Sequence, residues 1–217
     1  MQNNTFLMSL LLGFALLLFR PALACYSGLL IIPTADSVGA NQYDIELQTD
    51  GITRKMKADT YLLNMEFGFG NRVEVGVDVD LHEKSDDRLF VNGKFVFAKT
   101  ADGKLALAGG ICNSAPHLQG SLYLVATGDC RLFRITLGAM NFTGKHQIIT
   151  GIDKTLNPHL TLMADYSGGK ENYSSVGLNY HFNDRIGIMA GVEIPNDHLL
   201  NDQRYSIHLI FNGPVFK

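Results

Sequence analysis

The sequence predicts an all-β fold, a single antiparallel transmembrane β-barrel of about twelve strands preceded by a cleaved signal peptide. Three observations predict it. Residues 60–81 alternate apolar and polar side chains with a period of two, the mark of a pleated strand with two unlike faces. Segments of the same kind recur to the C-terminus, each near the ~9–11 residues that a tilted membrane strand needs. Between them, tight links rich in Gly, Asn and Asp take turns with longer polar ones, as the two ends of a membrane barrel require.

Composition agrees. Charged residues are 18% of the 217, below the usual quarter or so of a soluble domain, and Gly is frequent at 22. Mean hydropathy is +0.06, yet nothing past residue 24 approaches the ~18 apolar residues of a spanning helix. A net charge of −3 without a basic cluster excludes nucleic acid as a partner. Trp is absent, so an interfacial belt must come from Tyr and Phe.

Residues 6–19 form an apolar run too short to span a bilayer, followed by Arg20-Pro21 and the small-x-small site Ala22-Leu23-Ala24. The division is therefore a signal peptide over 1–24, an N-terminal periplasmic segment over 25–42, and the barrel over 43–217. An uncleaved anchor is the alternative for the first segment. Cleavage makes Cys25 the first mature residue, with Leu23 one place late for a lipoprotein site. Export makes disulfides possible. Cys112 falls near the outer end of a strand and Cys130 in an inner turn, so Cys25 with Cys130 is the pair on one side. Lipidation of Cys25, that disulfide and three free thiols all stay open.

Residues 26–42 carry the motif Gly-Leu-Leu-x-x-Pro-Thr-Ala-Asp, met here as Gly28, Leu29, Leu30, Pro33, Thr34, Ala35 and Asp36. This stretch resembles the start of bacterial outer-membrane barrels of the YjbH type. The resemblance covers about a dozen residues and implies an outer-membrane barrel associated with exopolysaccharide export. From the residues alone, Pro33 interrupts any ladder, which leaves the run from Leu29 to Ile32 as an apolar segment tucked against the barrel's inner end.

Strands are expected at 43–50, 60–69, 72–81, 89–98, 104–112, 120–127, 131–140, 147–154, 160–167, 174–182, 185–194 and 204–212. The oily phase is plain in Phe133, Ile135, Leu137 and Ala139, and again in Tyr205, Ile207, Leu209 and Phe211. The strand at 120–127 alternates ambiguously. Gly70-Asn71 supplies positive-φ positions for a hairpin. Tyr43, Phe67, Phe69, Phe97, Phe133, Tyr180, Phe182 and Phe211 fall at the periplasmic ends, and Tyr61, Tyr166 and Tyr205 at the outer ends, as interfacial girdles should. At the C-terminus, Pro214 is expected to forbid a regular ladder, and Phe216 stands near the place of the usual terminal aromatic.

The polar face carries Glu66, Glu74, Asp78, Asp80, Lys94, Arg134, Asp153, Asp165, Arg185 and Glu193, all expected to face the lumen. Its glycines, including Gly68, Gly151, Gly177 and Gly191, leave room for side chains or water. Acidic groups outnumber basic ones, which implies a mildly cation-preferring interior if the lumen is open. Asp78, Asp80 and His82 with Asp197 and His198 resemble the outer-rim sites of omptin-type proteases, although Asp197 and His198 are adjacent where an Asp–His pair should share a face. A solvated acidic rim is the plainer reading. No G-x-S-x-G elbow is present, and Gly68-Phe69-Gly70 lacks the third glycine and the helix of a dinucleotide site. The sequons at Asn141 and Asn172 read as ordinary loop residues.

The expected function is a non-enzymatic outer-membrane protein of a Gram-negative cell, a narrow channel or envelope component, with exopolysaccharide secretion implied by the resemblance. Rim hydrolase and soluble lipocalin-like binder are the alternatives. No cofactor or metal is expected. The expected partners are outer-membrane lipid, the barrel-assembly machinery and, through the resemblance, polysaccharide export components.

Overall fold

The computed structural model describes residues 28–82, 88–142 and 144–215. The signal peptide, the fate of Cys25, Thr143 of the first sequon and Phe216 lie outside the described residues. The strands in chain order are β1 (Gln42–Ile52), β2 (Lys57–Phe69), β3 (Val73–Asp80), β4 (Leu89–Lys99), β5 (Leu105–Ser114), β6 (Ser121–Cys130), β7 (Phe133–Phe142), β8 (Lys145–Asn157), β9 (Leu160–Ser167), β10 (Tyr173–Asn183), β11 (Ile186–Pro195) and β12 (Arg204–Pro214). Each pairs antiparallel with its sequence neighbours, and β1 closes on β12 from Gln42↔Pro214 to Ile52↔Arg204. Closure leaves no unpaired edge strand, which is what a strand structure in lipid demands.

Alternation builds the strands, and closure assigns their faces. In β3, Glu74 and Asp78 are buried inside while Val75 is exposed outside. Leu137, Val176 and Leu178 are likewise exposed on the outer surface. The oily face is outward, the reverse of the inward oily face that a soluble lipocalin-like barrel requires.

One end of the barrel holds the tight links 70–72, 100–104, 131–132, 158–159 and 184–185 together with the start of β1 and the end of β12. The other holds 53–56, 115–120, 168–172 and 196–203, with the ends of β3 and β7 and the starts of β4 and β8. Two links expected to be long, at 50–59 and 141–146, are nearly as tight as the turns. There the strands run on into polar residues, and Met56 (φ 46) and Gly144 (φ 78) complete the reversals. In the 70–72 hairpin only Gly70 takes positive φ, at 64°. Exposed Phe67, Phe69, Phe97, Phe133, Tyr180 and Phe182 ring the tight-turn end, and Tyr61 and Tyr166 sit toward the other. Edge-to-face pairs Phe95–Phe97 and Tyr180–Phe182, each 5.3 Å between ring centres, stiffen that belt.

Pro214 corrects an expectation. It pairs with Gln42 as the last residue of β12, and the Val215 N–H still donates to Asn41 O at 2.8 Å. The Asn212 N–H points the other way, to Arg185 O at 2.9 Å. Residue 214 shares that direction, beyond the end of β11 where no partner strand waits, so the missing proline donor costs nothing.

Candidate functional site

The lumen is occupied by the chain's own N-terminal segment. Leu29, Leu30, Ile31 and Ile32 are 0–7% exposed, and Pro33 is fully buried. Gly28 bridges Pro33, and the Leu29 N–H donates to Ile32 O at 3.0 Å, which makes a compact hairpin with an apolar tip. That tip shares one hydrophobic cluster with inward side chains of the wall, among them Val96, Val125, Met140, Ile149 and Met163. The glycines of the polar face are filled space rather than spare room. A Cβ on Gly191 would lie 2.5 Å from Leu30 Cδ2, and one on Gly151 would strike Leu29 and come within 3.1 Å of Ile32 Cδ1. Only a wall without a side chain there admits the hairpin.

Polar contacts tie the segment down along its length. The Ile31 N–H donates to Asp165 Oδ2 (3.2 Å), the Ala35 N–H to Thr127 Oγ1 (2.9 Å) and the Val38 N–H to Glu74 Oε2 (2.7 Å). Lys94 Nζ donates to Asp36 O at 2.8 Å and pairs with Glu74 at 3.4 Å. Arg134 holds the Asp36 carboxylate at 2.5 Å and also reaches Asp129 (3.2 Å) and Asp153 (3.9 Å). Because Asp165 lies near the long-loop end of β9, the segment crosses the interior instead of resting at the inner mouth. It is a plug.

The structure spreads the lumen-facing candidates over several roles. Glu66, Glu74, Asp78, Lys94, Asp153, Asp165 and Glu193 are buried on the inner wall. Lys94, Glu74, Arg134 and Asp165 hold the plug. Asp78 accepts from Asn92 Nδ2 at 2.6 Å, and Ser175 Oγ donates to Asp165. Asp80 is half-buried at the long-loop end, where its Oδ1 accepts the His82 N–H at 2.8 Å. Arg185 is a correction: it is exposed in the tight turn after β10, because Asn183 Oδ1 accepts the N–H groups of Arg185 (2.8 Å) and Ile186 (3.0 Å) and ends the strand early.

The omptin-like rim is not assembled. Asp78 is buried, Asp80 braces its own turn, and Asp197 Oδ1 accepts the Leu199 N–H at 2.9 Å. Among the described residues no hydrogen bond or ion pair joins Asp80 or His82 to Asp197 or His198. Asn172 is also not an ordinary loop residue. It is 3% exposed and donates to Gln147 Oε1 at 2.5 Å and to Gly168 O, bracing the loop before β10.

Sequence reasoning passed over a second network, on β1, β2 and β12. His208 Nδ1 meets Glu46 Oε2 at 2.6 Å and its Nε2 meets Ser206 Oγ at 2.9 Å. Ser206 donates to Asp50 Oδ1 at 2.5 Å, Gln48 Nε2 donates to Asp50 Oδ2 at 2.8 Å, and Asn64 Nδ2 donates to Gln48 Oε1 at 2.9 Å. Ser206 Oγ gives its hydrogen to Asp50 rather than to the ring, so the Glu46–His208–Ser206 row is a brace within the wall and not an activated nucleophile. A signal was present: Asp44, Glu46, Gln48 and Asp50 alternate with Tyr43, Ile45, Leu47 and Thr49.

Cavities remain beside the plug. One of about 570 Å³ at the tight-turn mouth is lined by Ser37, Val38, Gly39, Asp44, Asp184 and Arg185, among others. A smaller one, about 130 Å³, lies deeper, between Gly28 and Leu29 of the plug and Asp44, Glu46, Asn179 and His181 of the wall. Asp44 borders both.

No family model and no curated protein matches the chain. Solved structures do. The KdgM porin aligns with a TM-score of 0.56 at 14% identity, over 77% of this chain and 98% of that one. The KdgM porin in complex with disordered oligogalacturonate gives 0.59 at 13% identity, with the same coverage. The NanC porin gives 0.52 at 11% identity, over 78% and 98%. The chain is thus a closed twelve-strand barrel similar in fold to the KdgM and NanC porins, with its own N-terminal hairpin inside the lumen.

Proposed function

We propose that the protein is an outer-membrane channel held shut by its N-terminal hairpin, with the tight-turn end toward the periplasm. One observation carries this reading: the Leu29–Leu30–Ile31–Ile32 tip fills the lumen against wall glycines, and Lys94 and Arg134 hold its stem at Asp36. A segment so buried blocks solute passage until it moves. The inner wall is richer in carboxylates than in cations, which favours small cations once the path opens. The resemblance to YjbH-type barrels adds the proposal that the gate serves exopolysaccharide export. Its support is that the resembling residues, 28–36, are the plug itself. Assembly would proceed through the barrel-assembly machinery into outer-membrane lipid.

Planar bilayers test the channel. The intact protein should give rare, small current steps, and deletion of residues 26–39 should give steady, cation-preferring conductance. Asp78→Asn with Asp80→Asn should weaken that preference in the deleted form. Bilayers silent with both intact and truncated protein would overturn the reading and leave a structural role.

A further inference from the structure

The smaller cavity has two unlike sides. Met189 and Ile210 of the wall and Leu29 of the plug make one side apolar, and Asp44, Asn179 and His181 make the other polar. Asn179 stands opposite Met189 on the β10–β11 ladder, so an amide and a thioether are cross-strand neighbours in the lining. Asn179 Oδ1 is buried without a donor, and so is Asp44 Oδ1. A Cβ built on Gly187 would lie 3.6 Å from Asn179 Oδ1, which places that acceptor over the bare backbone of β11. A buried acceptor left without a donor costs stability until something supplies one.

A second observation concerns what lies beyond the cavity. A volume of about 130 Å³ is roughly four waters' share, enough for a small head group and little more. Its continuation is closed by the plug tip, with Leu30 over Gly191 and Leu29 over Gly151. The wall beneath the tip is apolar: Met140, Ile149 and Met163 belong to one cluster with Met189 and Ile210. Withdrawing the tip turns this wall toward water, a cost that an aliphatic chain laid in its place removes. The aliphatic side chains of the tip are therefore a template for what the wall accepts. Asp44 and Asn212 border both this cavity and the one at the mouth, so the way in is from the tight-turn end.

We infer that the seam between the plug and the β10–β12 wall binds an amphiphile with an aliphatic chain and an uncharged, hydroxyl-bearing head, and that the chain competes with Leu29 and Leu30 for the apolar wall. A hydroxyl donates to Asn179 Oδ1, and toward Asp44 it serves as donor or acceptor. An anionic head would meet Asp44 and Glu46, and a charge of either sign costs more to bury than a hydroxyl. The inference rests on the proposed channel, whose plug must leave the lumen, and it names what the lumen holds when the plug has left. Because the chain binds only the unplugged wall, the ligand favours the open state.

The test uses the full-length barrel in lipid nanodiscs, with the vicinal diols of hexane, octane and decane as probes and glycerol as the chainless control. Cys112, 0% exposed in the cluster that holds the tip, reads withdrawal of the tip through its maleimide labelling in a Cys25→Ser, Cys130→Ser form. The octane diol should speed labelling by about fivefold or more, and glycerol should not. The half-effect concentration should fall roughly three- to fourfold for each added methylene. Asn179→Leu removes the acceptor and Met189→Thr the chain contact; each should raise that concentration several-fold in protein that keeps heat-modifiable migration. Asp184→Asn, which borders the mouth cavity only, should leave it within about twofold. No acceleration, or a half-effect concentration unmoved by both Asn179→Leu and Met189→Thr, would overturn the inference; the second result is what general loosening of the bilayer by the diols produces. Acceleration that these variants weaken, in a protein electrically silent in bilayers, would count against the channel alone. Conductance on truncation with no response to the diols would count against this site alone.

Discussion

Ile32 is the residue on which the plug can be tested most sharply. It is 0% exposed at the hairpin's end, and Cys112, also 0% exposed, belongs to the same cluster. Replacing a buried Ile by Ala costs about 2–5 kcal/mol where the site cannot collapse. The rigid barrel wall cannot follow, so that cost falls on the plugged state relative to an open one. At about 1.4 kcal/mol per factor of ten, the open population should rise roughly 30- to 4000-fold. Cys112 reports it. In a Cys25→Ser, Cys130→Ser background, maleimide labelling of Cys112 should track the open population as long as reclosing outruns the reaction. Ile32→Asp should label faster still, since an unpaired carboxylate would have to be buried with the tip. The barrel, closed by β1 on β12, should keep its heat-modifiable migration throughout. Labelling of Ile32→Ala within twofold of the parent, in protein that migrates as folded, would refute the plug as the barrier over Cys112.

Other outcomes follow from the same contacts. Gly151→Val should expel the hairpin and speed Cys112 labelling, with part of the effect recovered by Leu29→Ala; recovery stays partial because the new Cβ also meets Asp165 Cβ at 3.0 Å. Lys94→Met removes the partner of a buried carboxylate and should cost about 3–5 kcal/mol in denaturant stability, whereas the Lys94→Met, Glu74→Leu pair should cost less than the single change. Arg134→Gln should raise labelling less than tenfold, since the guanidinium is 36% exposed and such pairs contribute about 0.2–1 kcal/mol each. High salt should mimic Arg134→Gln in the wild type and add little to the variant. The protein should fractionate with outer membranes; recovery in the soluble periplasm would refute the outward oily face.

The sequence by itself determined the strands, because a period of two is a local property that survives any tertiary arrangement. Val73, Val75, Val77 and Val79 against Glu74, Asp78 and Asp80 already define β3, and Phe67 and Tyr61 already mark its neighbour's two ends. Where local pattern failed, a tertiary neighbour was the cause. β6 alternates poorly since its inward side chains, Tyr123 and Val125, are as apolar as Leu122 and Leu124 outside; they face the plug instead of water. Arg185 and Pro214 were misplaced for the related reason that a strand's end depends on how far its partner runs. Only closure of β1 on β12, a pairing across nearly the whole chain, decided which face is inside, and it made glycines scattered over different strands into one socket. Which carboxylates are paired was equally illegible. Lys94 and Arg134 have one charge each to give, and it is their register with the plug that sends them to Glu74 and Asp36 and leaves Asp44 facing Glu66.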